Sequence, residues 1–131
     1  MLMTRTNFSS GAKWENIVGY SRAVKVGNVV EFSGTTATSE KGLVGVGDAY
    51  KQSAFILEKI KIFLEDMGAS MNDVFRTRIY VTDITKWKEV GRAHNEYFGD
   101  VKPATSMVEV AALIDPDMMV EIEVSAILSN S

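Results

Sequence analysis

The chain has 131 residues, 46% of them apolar, a formal charge of −3 and no cysteine. That is the size of one domain with one core, and it excludes a disulfide framework, a thiolate metal site and a Cys nucleophile. The mild acidity argues against nucleic acid as a partner, which requires clustered Lys and Arg, and no stretch approaches the ~20 apolar residues of a membrane span.

Residues 1–16 are polar with a few large side chains, Phe8 and Trp14 among them, and read as an N-terminal arm. They hold no apolar run long enough for a signal peptide; together with the missing Cys this makes the cytoplasm the expected compartment. Residues 20–26 and 29–33 read as a hairpin around Gly27-Asn28, both of which tolerate positive φ. Residues 34–47, GTTATSEKGLVGVG, read as a long loop, which raises their functional prior. They contain neither phosphate-loop pattern, GxxxxGK[ST] nor GxGxxG.

Residues 48–67 are predicted to form a helix with Tyr50, Ala54, Leu57, Ile60 and Leu64 on one stripe, Asp48 at the N-cap and Gly68 just past the end. A strand over 74–82 follows, then a helix over about 85–98 capped by Asp83 or Thr85, then strands near 105–112 and 119–128. The order β-β-α-β-α-β-β predicts a single α+β domain, 1–131, with two helices covering one face of a sheet.

Strand parity divides the charges. Phe75, Thr77, Ile79 and Val81 fall on one side of their strand and Arg76, Arg78 and Tyr80 on the other. Val120, Ile122 and Val124 oppose Glu121, Glu123 and Ser125, and Val30 and Phe32 oppose Glu31 and Ser33. The second face of the sheet therefore carries both signs of charge. It reads either as a solvated face with Arg–Glu pairs across the strands, or as a subunit interface or lined cleft. His94, the single histidine, can build neither a triad nor a metal site alone.

P-A-T-S-x-V-E-V at residues 103–110 and V-E-I-E at 120–123 closely resemble the C-terminal signature of the RidA/YjgF family, called endoribonuclease L-PSP in older usage. The SGTTAT segment, RTRIYVTD and NEYFG agree, so the resemblance covers about residues 14–128. It implies a chorismate-mutase-like fold, a homotrimer with a central barrel and clefts between subunits, and hydrolysis of enamines or imines to a 2-oxo acid and ammonia without metal or organic cofactor.

Carried over by position, the resemblance makes Glu121 the water-activating residue. Tyr20, Ser33 and the Met107 N–H shape the pocket. The family's carboxylate-binding Arg should follow Pro103-Ala104, where this chain has Thr105; a polar helix position falls on Gly91. The chain thus resembles a branch with Thr in place of that Arg, and poor activity on small 2-imino acids is expected. Arg22, which shares strand parity with Tyr20, is a candidate replacement. The expected function is a small-molecule hydrolase or deaminase acting on an imine, enamine or activated carbonyl. A non-catalytic ligand-binding trimer is the alternative; a ribonuclease is remote, given the acidic charge and the single His.

Overall fold

The computed structural model describes residues 3–129. Strands β1 (Arg5–Phe8), β2 (Ala23–Val26), β3 (Val29–Thr35), β6 (Val74–Val81), β7 (Ala104–Glu109) and β8 (Val120–Ile127) form one mixed sheet in the order β1-β2-β3-β8-β6-β7. All neighbours are antiparallel except β6 and β7. Helices α2 (Ala49–Asp66) and α3 (Trp87–Phe98) cover one face. This is the α+β arrangement that the element order predicts.

The segment read as an arm, of which residues 1–2 lie outside the described residues, contains a strand and a helix. β1 pairs with β2 at one sheet edge, and α1 (Lys13–Val18) follows, ending at Gly19 with φ 90°. Glu15 organises the turn into α1: it is 5% exposed, and its carboxylate accepts from Ser9 Oγ at 2.7 Å and from Ser10 N and Oγ. Burial alone would raise its pKa; these hydrogen bonds outweigh that and hold it below the usual carboxylate value. The 34–47 loop contains a small hairpin, β4 (Thr38–Ser39) with β5 (Gly42–Leu43).

Asp48 caps α2 as expected, its Oδ1 accepting from Lys51 N at 2.9 Å. The core is Ile56, Leu57, Ile60 and Leu64 of α2 with Val90, Ala93 and Phe98 of α3, against the apolar residues of β3, β6 and β8. One buried residue of α2 is polar. Gln52, 0% exposed, donates through Nε2 to Gly45 O at 3.2 Å and Asp117 O at 2.9 Å, and its Oε1 accepts from Met119 N at 2.9 Å. It ties α2 to both the loop before the helix and the turn that launches β8.

Two β-bulges break the simple alternation. In β6 the register shifts between Val74 and Arg76, so Val74 and Thr77 both face the core and Phe75 turns out, 48% exposed. Placing Phe75 with Thr77 by parity is therefore corrected: a bulge adds one residue and reverses the faces on either side of it. In β3 the shift lies between Phe32 and Thr35, at Ser33-Gly34, with both flanking residues buried. No helix among the described residues is long and apolar enough to cross a membrane.

Candidate functional site

The β3 bulge builds the site. An extra residue bends the strand and lets a neighbouring side chain approach the backbone. Here Glu121, at the start of β8, lies over Gly34; a Cβ built on Gly34 would sit 2.5 Å from the Glu121 Cδ. From the residue just before β2, Arg22 Nη2 donates to Gly34 O. The bulge thus presents a carboxyl and a guanidinium together.

Their electrostatics follow from burial. Desolvation raises the Glu121 pKa; Glu123 adds to the rise and Arg22 opposes it. Burial pushes the Arg22 pKa down, opposed by Tyr20, Glu15 and Glu121. Arg22 Nε is buried without a hydrogen-bond partner among the described residues, an unsatisfied charged donor that costs free energy until something accepts from it.

Both groups open into a cleft of about 960 Å³ between the α1 segment, the β4–β5 hairpin and the outer side of α2. Tyr20 and Trp14 line it with Phe55, Ile62 and Phe63 of α2. So does Lys59, whose Nζ donates to Thr36 O at 3.2 Å and Thr38 O at 2.8 Å. Burial, then the proximity of Arg22, lowers the Lys59 pKa. Sequence reasoning overlooked Lys59, although a signal existed. Phe55, Lys59, Ile62 and Phe63 form a second apolar stripe at helical spacing, outside the one that fills the core.

Tyr20 also borders a smaller, polar hollow of about 510 Å³ with Ser33 and Ser21. The Ser33 hydroxyl donates to Ser21 O at 2.7 Å. Tyr20, Arg22, Ser33 and Glu121 are therefore gathered around one bulge, while Thr105 and Met107 lie elsewhere. Thr105 pairs with Thr77, and Met107 with Ile79, so both side chains point to the helix side of the sheet. Glu121 pairs with Tyr80 on the opposite face. One strand, β6, separates β7 from β8, a sideways distance of roughly 10 Å.

The Thr105 hydroxyl is already engaged. Its Oγ1 donates to Pro103 O at 3.1 Å and lies 2.7 Å from Thr77 Oγ1, which lies 3.0 Å from His94 Nε2. These contacts link the edge strand β7 through β6 to α3. Burial holds the His94 pKa below its ordinary value, which keeps the ring neutral near pH 7.

On the charged sheet face, hydroxyl groups rather than Arg–Glu couples supply the side-chain hydrogen bonds among the described residues. Tyr80 Oη donates to Glu123 Oε1 at 2.8 Å, Ser125 Oγ donates to Glu31, and Arg76 Nη2 donates to Ser106 Oγ at 2.9 Å. Hydroxyls satisfy these carboxylates because each lies beside its partner on the same face, in the paired strands β6–β8 and β3–β8. Among the described residues no group of three or more His, Cys, Asp or Glu is arranged to hold a metal ion.

Comparison with known proteins agrees with this architecture. The family model described as Endoribonuclease L-PSP matches residues 11–128. A RutC family protein of Pyrococcus abyssi is 38% identical over 108 residues, 82% of this chain and 84% of that protein. The 3-aminoacrylate deaminase RutC of Acinetobacter baylyi is 36% identical over 104 residues, 79% of this chain and 82% of that protein. Among solved structures, Rv2704 of Mycobacterium tuberculosis, described as a member of the YjgF/YER057c/UK114 family, is similar with a TM-score of 0.86 and 48% identity, covering 95% of this chain and 100% of that one. By sequence and by fold, the chain belongs to the RidA/YjgF family, that of the endoribonuclease L-PSP model.

Proposed function

We propose that the chain catalyses hydrolytic deamination: water adds to the C=N bond of an imine, or of an enamine after tautomerisation, and the adduct collapses to a carbonyl compound and ammonia. Glu121 takes a proton from the attacking water and returns one to the leaving nitrogen. The observation that carries this reading is the half-buried Glu121 carboxyl over Gly34 beside Arg22, with its pKa raised by burial. A carboxyl shifted toward neutrality exchanges protons in both directions more readily than one ionised at pH 4.5. The similarity to a 3-aminoacrylate deaminase supports the reaction class.

Thr105 and Met107 join this site from a second copy of the chain. A single chain holds them across the sheet from Glu121, at the edge strand β7, so a homotrimer with clefts between subunits is the assembly we propose. Because Thr105 stands where the resemblance calls for Arg, small 2-imino acids lack their usual clamp and react poorly. One observation favours the alternative of a ligand-binding trimer without turnover: the Thr105 hydroxyl is committed to Pro103 and Thr77.

Ammonia release from freshly generated imines tests the first reading. Glu121→Gln is expected to lower kcat at least ~100-fold, the usual scale for a general base. In the wild type the rate should fall on the acid side through a midpoint above 4.5, because the folded pKa is raised and the base must be ionised. Undiminished turnover in the variant removes Glu121 from the mechanism. Absence of turnover in the wild type on every imine offered, with retained binding of the carbonyl products, establishes the alternative.

A further inference from the structure

Lys59 stands apart from the residues that hydrolytic deamination uses. It lines the cleft of about 960 Å³, and two main-chain carbonyls anchor its Nζ there, Thr36 O at 3.2 Å and Thr38 O at 2.8 Å. Neither partner is a carboxylate, so these bonds hold the nitrogen in place without neutralising its charge. A second cation is near. Arg22 binds Gly34 O and Lys59 binds Thr36 O, and these carbonyls are two residues, roughly 7 Å, apart along one segment. Burial first, and Arg22 second, lower the Lys59 pKa. Desolvation and a neighbouring cation are the two influences that turn a lysine into a nucleophile.

The hydrogen bonds also suit the neutral amine. Lys59 uses two of the three N–H groups of an ammonium, so loss of the third proton breaks neither bond and leaves a lone pair in its place. The walls around it are apolar. Phe55 and Phe63 stand one helical turn before and after Lys59 and share its side of α2. The Phe63 ring is fixed by edge contacts to Phe8 and Phe32, with centroids 6.1 Å and 5.6 Å away. Trp14 and Ile62 line the same cleft. The Phe55 centroid is 5.7 Å from Nζ, at the outer limit of cation–π reach, so this ring is a wall rather than a counter-charge.

We propose that Lys59 is a covalent binding site, whose Nζ condenses with aldehydes and ketones that carry an aromatic or other apolar body. The Nζ lone pair attacks the carbonyl carbon, and one proton passes from Nζ to the oxygen to give a carbinolamine. With one further proton from solvent the oxygen leaves as water, and the C=N bond forms. The product is an iminium that keeps a single N–H. That N–H stays on Thr36 O, while Thr38 O, at the exposed end, turns to water. The ring or chain of the ligand lies along Phe55 and Phe63. This activity lies beyond hydrolytic deamination and does not depend on it.

Reductive trapping tests the site. The full chain is incubated with 3-phenylpropanal and sodium cyanoborohydride, whose hydride adds to the iminium carbon and makes the adduct a permanent secondary amine. Peptide mass spectrometry then maps the alkylated lysines over time. Lys59 is expected to react at least ~10-fold faster than the exposed Lys41 and Lys88, because burial favours its free amine. Propanal, which lacks the ring, should label Lys59 at least ~10-fold more slowly than 3-phenylpropanal does. Lys59→Arg keeps a cation but forms no imine, so it should lose the fast phase and retain the slow alkylation of the other lysines. The trapping involves no turnover: an unreactive Lys59 leaves the deaminase reading standing, and an idle Glu121 leaves this site standing. Wild-type Lys59 reacting no faster than Lys41 and Lys88 overturns the proposal even if the variant does not fold. Equal labelling of Lys59 by propanal overturns the ligand class, and a fast phase that survives in Lys59→Arg overturns the assignment.

Discussion

Glu121 and Gly34 are one unit at the scale of single residues. Gly34 leaves room for the carboxyl, and the carboxyl is held where burial and Arg22 both act on it. Gly34→Ala is the cleanest probe, because Gly34 is not among the residues with positive φ and an alanine adopts its backbone without strain. Its Cβ must push the Glu121 side chain away by an ångström or so. Such a shift is expected to cost ~10- to 100-fold in kcat with a change in Tm of only a few degrees, read by steady-state kinetics beside thermal unfolding. Glu121 itself should be a liability for stability. Its folded pKa lies above the 4.5 of the free group, so between those two values the folded state binds more protons than the unfolded state and stability falls as pH rises. Relative to the wild type, the Tm of Glu121→Gln should therefore climb with pH through that window and level off above it. A pH-independent difference in Tm would show that the carboxyl is not desolvated.

Gln52 and the helix pair set the site at the scale of elements. Gln52 spans from α2 to the turn at Asp117 and to Met119, two residues before Glu121. Gln52→Ala leaves three backbone partners unsatisfied in a buried place, and each costs roughly 1 kcal/mol or more. A loss of about 3 kcal/mol, or about 10 °C in Tm for a chain of this size, is expected in thermal melts, together with lower kcat as the β8 start loosens. The outer seam of α2 and α3 is held by polar aromatics. Tyr97 Oη donates to Glu58 at 2.7 Å and Tyr50 Oη to Glu96 at 2.6 Å, while the Arg92 guanidinium stacks 3.8 Å from the Tyr50 centroid. Burial and the Glu58 bond push the Tyr97 pKa up to about 12. Neither pair reaches the cleft, so they steady the helix layer rather than the chemistry.

At the scale of the whole molecule, the sheet has one face covered by helices and one open. The open face exposes Val26 (40%), Val29 (36%), Ile127 (47%) and Val108 (48%) beside the hydroxyl–carboxylate pairs. Scattered apolar residues on a pleated face, with the β7 edge free, suit association with further copies. Sedimentation equilibrium should give three times the 14.4 kDa chain mass. Val108→Lys, on the open face, should shift the population toward monomer and lower turnover in parallel, because Thr105 and Met107 would no longer meet Glu121. A monomeric wild type at micromolar concentration would exclude a shared cleft.

Much of this was legible in the amino-acid order. The apolar stripe of Leu57, Ile60 and Leu64, the Asp48 cap, the Gly27-Asn28 turn and the alternation in β8 depend on local spacing, and local spacing survives folding. The resemblance at VGYSRA, FSGTTA and VEIE also singled out Tyr20, Ser33 and Glu121, which the structure gathers at one bulge. Parity failed where a single extra residue reversed it, at Phe75, because nothing in the composition of VFRT marks a bulge. The sequence left the partners of the charged face open, because a carboxylate is satisfied by whichever donor lies nearest in three dimensions, here Tyr80 for Glu123 and Ser125 for Glu31. The sequence by itself determined the α+β class and the family. Only the tertiary structure decided that Lys59 of α2 shares a cleft with Arg22 of the β2 approach, and that Thr105 is spoken for by Thr77 and Pro103. Lys59 and Arg22 are 37 positions apart and Thr105 and Thr77 are 28 apart, and how helices and strands stack, which no local pattern encodes, brings each pair together.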